Sequence, residues 1–220
     1  MAATPTPTPD TYPPTPRTTA TRPRGRMSYA RADIQHILDE TYLSHVGFVA
    51  DGEPQVLPTL HVRIDETVYL HGSTGSRLPL AARSGGVPLC LAVTVLDGLV
   101  LARAQAEHSA NYRSVVVHGT ATLVTDPERK QAVLAALLDK LVPGRAATTR
   151  PPTRRELAQT AVLALPLVEA SLRRRTGGPT DDPADLALPT WAGVIPVRTS
   201  YGPPEPAPGV TVPAPDLATD

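Results

Sequence analysis

Three apolar runs follow one another closely, "SHVGFVA", "QVLPTLHVRI" and "VYLHG", parted only by the turn sequences "DGEP" and "DET". Links this short cannot carry a chain back across a sheet, so the runs must pair antiparallel as a meander. This restricts the fold before composition is considered. Two further stretches extend the sheet: "VPLCLAVTVLDGLVLARA" reads as a hairpin turning at Asp97-Gly98, and "RSVVVHGTATLV" is a β-branched run of strand type. "TAVLALPLVEASL" reads as a last strand, which makes six or seven in all.

Helical spacing is confined to a few places. Ile34, Ile37, Leu38 and Tyr42 predict an amphipathic helix over residues 30–42 that lies on the sheet. "RLPLAARSGG" reads as a short helix closed by a glycine pair, with Pro79 held to its first turns. A longer helix opens at the cap Asp126 with Pro127 in first position and buries Val133, Leu134, Leu137, Leu138 and Leu141. Thr153 and Glu156 have capping-box spacing and predict a further short helix. Strands of this length need their edges covered, so the expected class is α+β: a mainly antiparallel barrel, closed or partly closed, with peripheral helices.

With 220 residues, 41% of them hydrophobic, the chain can bury one full core. The Pro/Thr-rich residues 1–26 and the Pro-rich residues 199–220 hold too little apolar surface to offset chain entropy and are expected to be disordered tails around a domain at 27–198. No apolar run reaches the ~18 residues of a membrane span, and no signal-peptide core is seen. Twenty-one basic residues balance twenty-one acidic ones, which gives no electrostatic case for nucleic acid or an anionic membrane. The single Cys90 reads as a small buried hydrophobe and fits a reducing, cytoplasmic setting.

The chemistry concentrates in "VYLHGSTGSR", Val68 to Arg77, where glycines, hydroxyls, His71 and Arg77 crowd behind a strand. A surface turn, a helix cap and a phosphate cradle are all consistent with it. It lacks the lysine and spacing of a nucleoside-triphosphate loop and the pattern of a nucleophile elbow. Backbone amides opened by glycine, the hydroxyls of Ser73, Thr74 and Ser76, and the Arg77 guanidinium suit a phosphate. No metal is expected, for want of paired histidines at helical spacing or a Cys/His cluster. His36 and His45 read as surface or edge residues and His61 as outward-pointing, while His108 reads as structural or a rim contact. Trp191 reads as packing at a subunit seam or as cover for a cofactor edge.

"HVGFVADGEPQVLPTLHVRIDETVYLHGSTGSR", "LDGLVLARAQAEHSANYRSVVVHGTATLV" and "LPTWAGVIPV", in this order, resemble the pyridoxamine 5'-phosphate oxidase-related flavoproteins, in particular the nitroimidazole-reductase-like branch, over about residues 28–198. The resemblance implies a split β-barrel, a homodimer, and FMN held in grooves between subunits. It places the family's phosphate loop on His71, Gly72, Ser73, Ser76 and Arg77, its flavin-edge strand on Pro58, Thr59 and Leu60, and a further polar contact on Ser114. It further implies a flavin-dependent oxidoreductase acting on a small molecule, with a non-catalytic carrier of flavin, haem or deazaflavin as the alternative. Three features depart from the pattern: Pro79, His118 in place of an aromatic or aliphatic residue, and the basic run Arg173, Arg174 and Arg175. That run reads as a solvated surface or as a receiver of an anion. The carboxy-terminal arginine pattern of the pyridoxamine phosphate reaction proper is not found in "WAGVIPVRTSYGPPEP".

Overall fold

The computed structural model of the chain describes residues 9–21 and 24–215. In order, its elements are β1 (Met27–Ser28), α1 (Arg31–Glu40), β2 (Leu43–Ala50), β3 (Glu53–Ile64), β4 (Thr67–Ser73), α2 (Arg77–Ala81), β5 (Val87–Leu101), β6 (Ser109–Leu123), α3 (Pro127–Leu141), α4 (Arg145–Thr148), α5 (Arg154–Gln159), β7 (Thr160–Pro166), β8 (Glu169–Arg175) and β9 (Gly193–Pro196). Every strand pair is antiparallel. The sheet order is β1-β8-β6-β7-β4-β3-β2-β5-β9, and an additional β5–β6 pairing closes β6, β7, β4, β3, β2 and β5 into a ring. The class is therefore α+β, as expected, with a nine-stranded sheet in place of six or seven strands.

Period-two alternation determines which side chains enter the ring. Val46, Leu91, Val93, Val115 and Val117 are wholly buried, whereas their strand neighbours are turned outward. Ile34, Ile37 and Leu38 of α1 join this core from one end of the ring. Each such burial stabilises by roughly 1.5–3 kcal/mol. A second cluster forms outside the ring, where Val133 and Leu137 of α3 pack on Val62, Tyr69 and Val162 of β3, β4 and β7. The Asp126 carboxylate caps α3 by accepting from the amides of Glu128 and Arg129. Thr153 and Glu156 form the capping box of α5. Leu138, expected in the α3 stripe, is 38% exposed.

Four expectations are corrected. Asp97-Gly98 is a bulge, not a hairpin turn: β5 runs straight through it, with the register to β6 shifting between Leu96 and Gly98. The Asp97 carboxylate is held there by Arg113, and Gly98 leaves room for β9, since a Cβ would meet Val194 at 3.0 Å. "TAVLALPLVEASL" forms two strands, because β7 pairs with β4 and β8 pairs with β6 on either side of a turn at Leu167-Val168. His61 is fully buried and does not point outward: its Nε2 lies 2.9 Å from the Leu38 carbonyl oxygen, and Lys140 of α3 closes on it.

The fourth concerns residues 1–26. Residues 9–21 are packed on the barrel, with Tyr12 fully buried in the main core and its hydroxyl donating to Glu66 at 2.9 Å. Arg17 and Thr15 both bind the Glu169 carboxylate. One aromatic ring and a charged clamp hold a segment whose composition lacks other apolar anchors. Residues 1–8 and 22–23 lie outside the described residues, as do 216–220 of the carboxy-terminal segment. Residues 199–215 carry neither helix nor strand and are largely exposed.

Candidate functional site

The β3–β4 ladder extends from Ile64↔Thr67 to His61↔Leu70 and stops there. Both strands continue. β3 runs back to Glu53 against β2, and β4 runs on to Ser73 against β7. The sheet thus parts between Leu60 and His71, which leaves one edge of β3 without a strand partner among the described residues. Pro54 and Pro58 occupy that stretch, consistent with the confinement of proline to unpaired edges.

This split gathers most of the residues singled out in the sequence. Pro58, Thr59 and Leu60 form one lip, and His71, Gly72, Ser73, Ser76 and Arg77 form the other and its continuation into α2. Arg77 reaches across, its Nη1 donating to Gln55 of β3 at 3.0 Å. An open groove of about 540 Å³ lies beside the second lip, lined by His71, Gly72, Ser73, Thr74, Gln159 and Thr160. His71 contributes a ring nitrogen, Nδ1, that is buried without a hydrogen-bond partner, and burial pushes its pKa down. An unmet buried polar atom of this kind is costly unless something binds it.

The turn itself is more self-contained than its glycines suggest. The amides of Thr74, Gly75 and Ser76 are bonded to the Gln159 carbonyl, the Ser73 hydroxyl and the Ser73 carbonyl, and the Ser76 hydroxyl donates to the Ser73 carbonyl at 2.7 Å. The expected row of open amides is therefore largely used internally, leaving positive side chains as the groups available to an anion. A second one was missed in the sequence: Arg83, whose Nη2 approaches the Thr74 carbonyl at 3.4 Å. The helical turns over "RLPLAAR" bring it back towards the loop six residues after Arg77.

Ser114 lies apart from this group, on β6, in a cavity of about 400 Å³ beneath residues 17–20. Arg17, Met27, Tyr112, Val116, His118, Ser171 and Arg173 share its walls. Of the basic run, only Arg173 lines this cavity. Arg174 is exposed, and Arg175 is buried, donating to Asn111 and to the Gly177 and Gly178 carbonyls.

One outer face of the sheet joins the two places. Cross-strand rows run Pro58, His45, Ala92, Val116, Ser171 and Val56, Gly47, Cys90, His118, Glu169 from β3 to β8. Val56 is 71% exposed and Pro58 and His45 are exposed, so this face is a flat, largely apolar surface around Gly47 and Ala92. Cys90 sits on it half-buried, its thiol pKa pushed up by burial. Trp191 is 63% exposed beside Gly193. Among the described residues no group of three or more His, Cys, Asp or Glu is placed to hold a metal ion, and no helix is long and apolar enough to cross a membrane.

Residues 30–174 match the family model described as pyridoxamine 5'-phosphate oxidase. The chain is 41% identical to the flavocytochrome Anf3 from Azotobacter vinelandii over 91% of this chain and 94% of that one, with a TM-score of 0.86. It is 39% identical to the FAD and heme binding protein from Mycobacterium smegmatis over 86% and 94%, with a TM-score of 0.82. A candidate 5-nitroimidazole antibiotic resistance protein from Bacteroides thetaiotaomicron shares the fold at 16% identity over 66% and 84%, with a TM-score of 0.56. The search of curated proteins found no match.

Proposed function

From the premise that the chain belongs to the pyridoxamine 5'-phosphate oxidase family, we propose that it is a redox protein binding two cofactors, a flavin at the β3–β4 split and a haem. The observation that carries the flavin is the parting of the sheet at Leu60 and His71, with Arg77 and Arg83 beside it. The residues there fit the group. Two guanidinium ions suit the ribityl phosphate common to FMN and FAD, and the unmet His71 Nδ1 is a polar atom awaiting a partner. Pro58, Val56, Gly47 and Ala92 offer a flat wall to a planar ring. The resemblance implied FMN, but similarity to an FAD and heme binding protein makes FAD the form proposed.

Such cofactors supply two-electron chemistry at the flavin and one-electron chemistry at the iron, and the side chains at the split bind, orient and exclude water. His71, its pKa lowered by burial, is neutral near pH 7 and so can accept as well as donate a hydrogen bond. The reading includes a homodimer meeting through the exposed outer face, a small-molecule electron partner and a cytoplasmic location. It is tested by purifying the protein aerobically, identifying bound flavin and haem by absorbance and mass, and following reduction and reoxidation in air. Flavin that bleaches and recovers supports a redox enzyme. Flavin that is bound but inert points to a carrier, and protein that refuses both cofactors overturns the reading.

A further inference from the structure

We propose that His118 would hold the haem iron, with the guanidinium groups of Arg17 and Arg173 facing its carboxylates, in the cavity beneath residues 17–20. The inference rests on the haem reading above and deepens it. A haem needs an imidazole, a flat apolar enclosure and cations for two propionates. The six histidines can be sorted on those needs. His61 is sealed under Leu38 and Lys140, with no space beside its ring. His36 stands exposed on α1, 3.7 Å from Glu40. His108 is exposed on a loop and bonded to the Ala104 carbonyl. His45 projects, exposed, from the open sheet face. His71 sits at the flavin loop with Arg77 and Arg83.

His118 alone among them lines a cavity with two arginines, whose other walls mix Met27, Val116 and the ring of Tyr112 with the hydroxyls of Thr18, Thr19, Ser114 and Ser171. Its volume of about 400 Å³ falls within the range of small-molecule sites, roughly 300–1,000 Å³. The roof is fastened from outside, since Glu169, the cross-strand neighbour of His118, accepts from Arg17 and Thr15. An imidazole is also the residue that interrupts "SVVVHGTATLV", a strand otherwise apolar or small. The row Val56, Gly47, Cys90, His118 then puts the ligand three strands from the lip of the flavin split, on the same face and about 14 Å away.

The test is hemin titration of the full-length protein, followed by absorbance and electron paramagnetic resonance, with flavin content and circular dichroism measured alongside. Wild type should show an imidazole-ligated haem. His118→Ala should lose haem affinity by roughly a hundredfold while keeping its flavin, and added imidazole should restore the spectrum. His118→Met, nearer in size, guards against a folding defect and should keep haem with a changed axial signature. A wild-type spectrum and affinity in His118→Ala or His118→Met would overturn the assignment and leave the haem reading standing. Wild-type protein that takes up no haem would overturn both.

Discussion

Arg77 of α2 donates to Gln55 of β3 at 3.0 Å, tying the helix that follows β4 to β3 beyond the end of the β3–β4 ladder. The bridge puts a guanidinium at the mouth of the split while its side chain stays exposed to solvent. Arg77→Ala should therefore weaken flavin by about 1.5–3 kcal/mol, roughly tenfold to a hundredfold, with little change in stability. Flavin fluorescence titration and a denaturant curve on the same sample check both halves. Unchanged affinity would remove Arg77 from the site.

Tyr12 anchors the segment that roofs the second cavity. Removing a wholly buried aromatic ring costs about 3–5 kcal/mol, so Tyr12→Ala should destabilise the protein by that order, whereas Tyr12→Phe, losing only the hydroxyl's bonds to Glu66 and Gln35, should cost about 1–2 kcal/mol. Urea unfolding measures both. A neutral Tyr12→Ala would mean that residues 9–21 are not held as described.

His61 should make the protein acid-sensitive. Burial, reinforced by Lys140, lowers its pKa from 6.5 to about 4. Between those values the unfolded chain takes up a proton that the folded one refuses, so stability falls as pH drops from about 6.5 to about 4, by up to about 3 kcal/mol from this group. Urea midpoints at several pH values should show the loss, and His61→Gln should remove this component. Lys140→Met should shrink it, since the cation that depresses the imidazole is gone. An acid slope identical in wild type and His61→Gln would contradict the assignment.

Gly98 admits β9 to the edge of β5. A Cβ there would meet Val194 at 3.0 Å and the Ile195 carbonyl at 3.1 Å. Gly98→Ala should thus loosen β9 at a cost of about 1–3 kcal/mol. Hydrogen exchange should quicken at the Val197 amide, which donates to the Asp97 carbonyl at 3.0 Å. Unaltered exchange would show that the strand adjusts without strain.

Where local chemistry decides structure, the sequence was legible. The turns at Asp51-Gly52 and Asp65-Glu66, the Asp126 cap and the Thr153 box all appear where their residues place them. Where tertiary partners decide, it was not. Asp97-Gly98 has the residues of a hairpin turn, but Arg113 and β9 hold it open as a bulge within one strand. Leu167-Val168 is an apolar pair with no turn chemistry of its own, yet the chain reverses there because β4 and β6 offer edges to the strands on either side. Tyr12 and His61 were misread because each owes its burial to residues distant in the chain, Tyr12 to Glu66 and Gln35, His61 to Leu38 and Lys140.

The candidate site divided in the same way. The lip at His71–Arg77 was readable as a strand end rich in hydroxyls and glycine, whereas Pro58, Thr59 and Leu60, within β3, were found only through the family resemblance. Arg83 was not, since its approach to the loop depends on a five-residue helix. Ser114 was grouped with the lips but lines the second cavity, because strand order, not sequence distance, separates β6 from β4.

The central claim is that the split grips a flavin by its phosphate, through Arg77 and Arg83. Calorimetric titration of the cofactor-stripped protein with riboflavin, FMN and FAD tests it most directly, because riboflavin keeps the ring and lacks the anion. Two charge-assisted contacts predict that riboflavin binds weaker than either phosphorylated flavin by roughly a hundredfold or more. Equal affinity for all three would contradict the account.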